Sequence, residues 1–134
     1  MQNLKVVAAI FVQEEKILAM KRAAHKPLPG KWEFPGGKIE KNESAEEALI
    51  REIKEELNID INQLELFDHS ITLLPDWEVD LSCFLVQTES FPTDSTDHDE
   101  MRWLDKKDLL ELDWSEADMP AVRKLQRRSF NAKG

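Results

Sequence analysis

Three carboxylates, Glu52, Glu55 and Glu56, crowd one short stretch of the tract 37–59, GKIEKNESAEEALIREIKEELNI. A helix turns about 100° per residue, so these three share roughly a third of its circumference. Carboxylates spaced i and i+4 repel and weaken an isolated helix by about 0.2–0.5 kcal/mol. Their grouping therefore asks for a compensating cation. Mg²⁺ suits the role, because it prefers oxygen ligands and binds through a few carboxylates together with substrate phosphates. Arg51 stands directly before Glu52, Glu43 sits at the mouth of the helix, and Gly36-Gly37 precede it. The spacing predicts a metal site that handles phosphates. The glutamates alone would describe an ordinary solvated helix face; the glycines, Glu43 and Arg51 at fixed intervals favour the chemistry.

Gly37, Glu43, Arg51, Glu52, Ile53, Glu55, Glu56 and Ile59 together resemble the Nudix box, G-x5-E-x7-R-E-U-x-E-E-x-G-U, where U is a bulky aliphatic residue. One position departs, with Asn58 where the box has its second glycine. That glycine ends the helix in the left-handed region, where Asn is the next most tolerant residue. The resemblance implies that Glu55 and Glu56 are the main Mg²⁺ ligands (Mn²⁺ being a possible substitute) and that the Gly36 carbonyl is a backbone ligand. It places Glu52 beside the attacking water as ligand or base, with Arg51 holding Glu52 and Glu43 supporting the metal site or its loop. A further carboxylate is expected from a later loop. Glu100, just before Arg102-Trp103-Leu104, is the first candidate, and Asp97, His98 and Asp99 are its rivals.

The rest of the chain resembles the MutT branch of that family, in Trp32-Glu33-Phe34-Pro35-Gly36-Gly37, in Leu74-Pro75-Asp76 and in Glu116-Ala117-Asp118-Met119-Pro120. MutT-like proteins hydrolyse nucleoside triphosphates to the monophosphate and pyrophosphate. They include nucleotide-pool sanitisers that support DNA repair. By this resemblance Arg22 contacts phosphate, with Lys38 as a second contact, and Asp76 belongs to the substrate side. Asp118 stands where the branch places a base-reading Asn or Asp. An ionised Asp only accepts hydrogen bonds, so it would read the amino group of a guanine, of its 8-oxo form, or of cytosine. Its other role would be a helix N-cap before Met119-Pro120. Phe34 and Leu74 either line the base pocket or belong to the core.

The first expectation is thus an Mg²⁺-dependent triphosphate pyrophosphohydrolase with 8-oxo-dGTP as leading substrate and CTP or modified dCTP second. A hydrolase of ADP-ribose or a nucleotide sugar is a different substrate class, which the resemblance leaves open. A non-catalytic nucleotide-binding module is a third reading, against which every box carboxylate is present. The absence of tyrosine weighs against the dinucleoside-polyphosphate branch.

Composition narrows the class. The 134 residues suit one domain, 1–134, with 41% hydrophobic and 34% charged residues as in a soluble globular protein. A formal charge of −9 argues against nucleic-acid binding, which needs a basic footprint. It agrees with phosphate binding only if cations lie between the acids and the phosphates. The basic run Lys124, Arg127, Arg128 reads as a solvated helix face. No apolar stretch approaches a membrane span, and the first residues lack a secretory pattern. Lone Cys83 reads as a buried thiol. A cytoplasmic protein, monomeric or homodimeric, acting on a small nucleotide, is expected.

These residues must be positioned by a framework of strands and two helices. Tracts 4–12 and 16–22 read as paired strands around a turn at 13–15. Tract 23–30 is a loop, 31–34 a short strand, and the glycine pair then opens another loop. Ser44 with Glu47 forms a capping-box signature for a helix to about Asn58, whose Ala45, Leu49, Ile53 and Leu57 make a buried stripe. Strands follow at about 64–73 and 77–88, then a polar loop at 89–99, a strand at 100–104, a turn at 106–110 and a helix from Met119 to Phe130. The order predicts an α+β protein, an α/β/α sandwich with a mixed sheet between helices.

Overall fold

A computed structural model describes residues 2–127. Its strands are β1 (Gln2–Gln13), β2 (Lys16–Arg22), β3 (Trp32–Glu33), β4 (Gly36–Lys38), β5 (Gln63–Leu73), β6 (Trp77–Gln87) and β7 (His98–Asp105). Helix α1 (Ala45–Leu57) follows β4. Two short 3-10 turns, Lys106–Glu111 and Glu116–Asp118, lead into α2 (Met119–Arg127). The last three residues expected for that helix, with Arg128 of the basic run, lie outside the described residues. Among the described residues, no helix is long and apolar enough to cross a membrane.

The seven strands form one mixed sheet in the order β3-β2-β1-β6-β5, with β4 paired to β1 and β7 to β2. Only β1 and β6 run parallel, from Gln2 beside Trp77 to Phe11 beside Val86. Side chains alternate across a strand, so β1 feeds two cores. Val7, Ala9 and Phe11 join Leu18, Met20 and the α1 residues Ala48, Leu49, Ile53 and Leu57 on one face. Ala8 and Ile10 join Ile17, Ala19, Trp32, Phe34, Trp114 and the α2 residues Val122 and Leu125 on the other. The result is an α/β/α arrangement.

Helix α1 begins where Ser44 and Glu47 close a reciprocal capping box: the Glu47 amide donates to Ser44 Oγ, and the Ser44 amide to Glu47 Oε1. It ends at Asn58, which takes the left-handed conformation (φ 58°) and donates its amide to the Lys54 carbonyl. Leu49, Ile53 and Leu57 of the expected stripe are buried with Ala48, while Ala45 is only partly buried, and each buried Leu or Ile side chain there contributes about 1.5–3 kcal/mol.

The glycine pair departs from expectation. Gly36 and Gly37 do not open a loop; with Lys38 they form β4, antiparallel to β1, Gly36 opposite Ala8 and Gly37 opposite Val7. A Cβ on Gly36 would collide with the Val7 carbonyl oxygen, so close strand approach explains the glycine. β7 also starts two residues earlier than expected, at His98. Its pairing with β2 slips between Lys21 and Arg22, so that Lys21 faces Glu100 and Arg22 faces His98.

Candidate active site

Helix α1 packs on β1 and β4, which brings its acidic face against the Gly36–Lys38 backbone. Arg51 organises that face. Its Nε and Nη2 donate to the two Glu43 carboxylate oxygens at 2.6 and 2.9 Å. Nη1 donates to Glu52 Oε2 at 3.0 Å and to Glu55 Oε1 at 3.4 Å, and Nη2 also reaches the Lys38 carbonyl at 3.0 Å. The planar fork of a guanidinium permits such simultaneous contacts. Arg51 holds Glu43 well below the usual carboxylate range, at about 2. Glu43 also accepts the Glu40 amide, which ties the loop before α1 to the same charge centre.

Glu52 lies against Gly37. A Cβ on Gly37 would come within 2.5 Å of both Glu52 carboxylate oxygens. The second glycine of the pair is therefore a space requirement of the acid. Burial raises the Glu52 pKa, opposed by the Arg51 contact. Glu56 is deeper. Burial, then its hydrogen bond to Asp97 and the nearby charges of Asp97, Glu52 and Glu33, push it up to about 9. Asp97 moves the other way: burial pushes it up, but the Glu56 contact and Lys26 outweigh that and lower it.

The loop acid beside Glu56 is thus Asp97. Glu100, the leading candidate from sequence, faces away. On β7, Met101 and Trp103 pack into the α1-side core, so Glu100 and Arg102 point to the opposite face. There Arg102 lies over the Trp32 ring and donates to Glu100 Oε2 at 3.1 Å. Arg22, whose side chain is mostly buried, donates to Glu33 Oε1 at 2.9 Å and to the Pro27 carbonyl at 2.6 Å. Lys38 is exposed beside the cluster. Asp76 lies near the start of β1, where its carbonyl accepts the Gln2 amide. Five residues of β1 separate Gln2 from Val7 opposite Gly37, about 16 Å of strand, so Asp76 is not brought to the carboxylates.

Asp118 sits on the other face of the sheet, 7% exposed. Its Oδ2 accepts the Phe34 amide at 2.9 Å and its Oδ1 accepts the Ser115 hydroxyl at 3.1 Å. It caps no helix amide; it joins the turn before α2 to the strand-to-strand link at Phe34. Burial, and secondarily the Glu33 charge, lift it to about 7. Phe34 is buried, 4.8 Å from Trp114 between ring centroids, and Leu74 is half-buried in the β5–β6 link. Cys83 is buried, and burial pushes its thiol well above the ordinary value.

Among the described residues no three His, Cys, Asp or Glu side chains are drawn into a set that could hold a metal ion. Arg51 gathers Glu52 and Glu55, while Glu56 leans to Asp97. The donor chemistry nonetheless fits a hard dication: every candidate donor is an oxygen, and Glu56 Oε1 is buried without a hydrogen-bond partner.

His98 is a rival to Glu100 in the sequence and Glu33 part of the MutT-like tract, but the sequence does not foretell their pairing. His98 Nε2 lies 2.8 Å from Glu33 Oε2, with the His98 side chain 1% exposed. Their positions are far apart in the chain, and no local pattern announces the contact.

A strand-borne glycine pair, an arginine-organised carboxylate helix and a three-layer α/β/α frame define a class, and comparison with known proteins agrees. The NUDIX domain model matches residues 1–125, and the chain belongs to the Nudix hydrolase family. It is 31% identical to an 8-oxo-dGTP diphosphatase of Escherichia coli over 128 residues, 95% of this chain and 99% of the relative. It is 32% identical to a CTP pyrophosphohydrolase of the same organism over 122 residues, 91% and 90% of the two chains. A solved structure from a study of MutT from Aliivibrio salmonicida and Vibrio cholerae superposes with TM-score 0.75 at 30% identity, covering 94% of this chain and 98% of the other.

Proposed function

We propose that this protein is an Mg²⁺-dependent nucleoside triphosphate pyrophosphohydrolase, converting triphosphate and water to monophosphate and pyrophosphate, with 8-oxo-dGTP as its leading substrate. The observation that carries the reading is the Glu52 carboxylate, wedged against Gly37 and held by Arg51. Beside it stands the unpartnered Glu56 Oε1.

Glu52, Glu55, Glu56 and the Gly36 carbonyl would hold the metal, with Asp97 next to Glu56. A bound dication supplies charge neutralisation on the phosphates and lowers the pKa of water. Of the three helix acids, Glu52 is best suited to accept the proton of the attacking water. Burial lifts its pKa, and both Arg51 and the Gly37 backbone fix its orientation, as general-base catalysis requires. Arg51 acts on Glu52 and Glu43 without touching substrate. Arg22 and Lys38 would supply positive charge to the phosphates.

Asp118 supports an amino-bearing base. In the ionised form, reached above about 7, each of its oxygens accepts one bond and retains a lone pair for a base amino group. Cytosine nucleotides are the second reading, because the same acceptor suits the cytosine amino group and a relative matched along nine-tenths of the chain carries the name CTP pyrophosphohydrolase.

The test is incubation with Mg²⁺ and, in parallel, 8-oxo-dGTP, dGTP, CTP, 5-methyl-dCTP and ADP-ribose, with products resolved. Pyrophosphate released preferentially from 8-oxo-dGTP is expected. Preference for the cytosine nucleotides transfers Asp118 to cytosine, cleavage of ADP-ribose alone replaces the substrate class, and no turnover at all defeats the reading.

A further inference from the structure

Glu56 is on α1, yet its carboxyl partner, Asp97, comes from the segment leading into β7 and needs a support of its own. One ion pair and two backbone links tie this segment to the end of β2. Lys26 pairs with Asp97 at 3.5 Å with both side chains about one-third exposed, and such pairs contribute little. Two backbone links run to the end of β2: the Ala23 amide donates to the Asp97 carbonyl at 3.0 Å, and the Ala24 amide to Asp99 Oδ2 at 3.1 Å.

The buried support is different. His98 uses both ring nitrogens: Nε2 donates to Glu33 Oε2 at 2.8 Å, and Nδ1 meets Ser95 Oγ at 2.8 Å. Ser95 Oγ in turn accepts the Asp97 amide at 3.2 Å. The second oxygen of Glu33 accepts from Arg22. A continuous path of hydrogen bonds therefore joins Asp97, Ser95, His98, Glu33 and Arg22.

The slipped register of β7 explains how His98 reaches that path. Glu100 lies opposite Lys21, and His98 opposite Arg22, which leaves Asp99 as the extra residue. In an unbroken strand His98 and Glu100 would share a face. The bulge re-aims His98 to the side of Arg22 and of Glu33, whose partner Met20 packs into the α1-side core. Glu100 keeps the register of the rest of β7 and points away, while the bulge turns His98 toward the carboxylates.

We infer that His98 is a positioning residue: clamped between Glu33 and Ser95, it sets Asp97 opposite Glu56, and through the shared Glu33 carboxylate it places Arg22 on the same frame. This rests on the metal-site reading proposed above, and it adds a support that the box motif does not contain. His98 touches neither substrate nor metal in this scheme; it acts through Asp97.

The experiment measures Mn²⁺ binding to the full chain without nucleotide, by paramagnetic resonance of free Mn²⁺, alongside melting temperature and the separate values of kcat and KM. His98→Ala is expected to weaken Mn²⁺ binding about 10-fold, within the range typical of residues that orient ligands. His98→Gln keeps an N–H for Glu33 and is expected to recover most of the loss. Glu33→Gln, which breaks the same pin from its other end, is expected to match His98→Ala and serves if that variant does not fold. In an Asp97→Asn background, His98→Ala is expected to add no further loss. A merely structural role would lower the melting temperature while leaving Mn²⁺ affinity unchanged in the folded variants, and that result overturns the inference. So do additive losses in the Asp97→Asn background, or a wild type that binds no Mn²⁺. A wild type that binds Mn²⁺ but hydrolyses no triphosphate defeats the proposed function alone, since the affinity comparison still decides on His98.

Discussion

The Cα of Gly37 faces the carboxylate of Glu52 so closely that not even a methyl group fits between them. The glycine sits in a strand and the acid on a helix, and their contact joins the sheet to the acidic face of α1. Gly37→Ala must push Glu52 aside, although an alanine is otherwise at ease in a strand. Displacements of about 1 Å at a reacting centre can cost about 100-fold in rate. We expect kcat to fall by about that factor, with a melting temperature close to wild type. Pyrophosphate release in single-substrate kinetics checks this, and an unimpaired variant would remove Glu52 from the reaction.

Arg51 serves five acceptors at once. Lysine carries the charge but presents a single point in place of a fork. Arg51→Lys is therefore expected to keep the fold and lose about 10- to 100-fold in kcat, the range typical when the partner of a ligand is removed. Equal kcat values for the two proteins would show that charge alone suffices.

Asp118 gives stability a pH dependence of known sign. Burial raises it from the ordinary 3.8 to about 7, so between those values the native protein holds a proton that the unfolded chain has released. The stabilisation present below 3.8 is lost progressively as pH rises toward 7, then levels. Asp118→Asn can accept the Phe34 amide and donate to Ser115, and it does not titrate. Urea unfolding across this interval should show a shallower slope in the variant. Identical slopes would place the titration elsewhere.

Asn58 occupies the left-handed position at the end of α1, φ 58°. Glycine there relieves a cost of about 1 kcal/mol for a residue with a side chain. Asn58→Gly is expected to raise the melting temperature by about 3 °C without changing kcat. A lower melting temperature would mean that the Asn side chain contributes more than the backbone strain it imposes.

Local chemistry was readable from the chain. β2 begins and ends where its short apolar run and flanking charges placed it, and the capping box at Ser44 and the left-handed Asn58 followed from residue preferences that act over a few positions. What escaped depends on partners distant in sequence. Gly36 and Gly37 have little strand propensity of their own, and only the approach of β1 makes them β4. The side to which His98 points turns on a one-residue slip at Lys21 and Arg22, which no periodicity records. His98 meets a carboxylate 65 positions away. The placement of Asp118 against the Phe34 amide likewise needed the closed fold.

The tract from Phe34 to Gly37 touches both sides of the sheet. Its first amide is held by Asp118 on one face and its last residue abuts Glu52 on the other. Three residues of extended chain span at most about 10 Å. In the proposed reading this tract works as a ruler, fixing how far the base of a nucleotide lies from the phosphorus that is attacked. One residue more or less between Phe34 and Gly37 would leave both ends chemically intact and put them out of step.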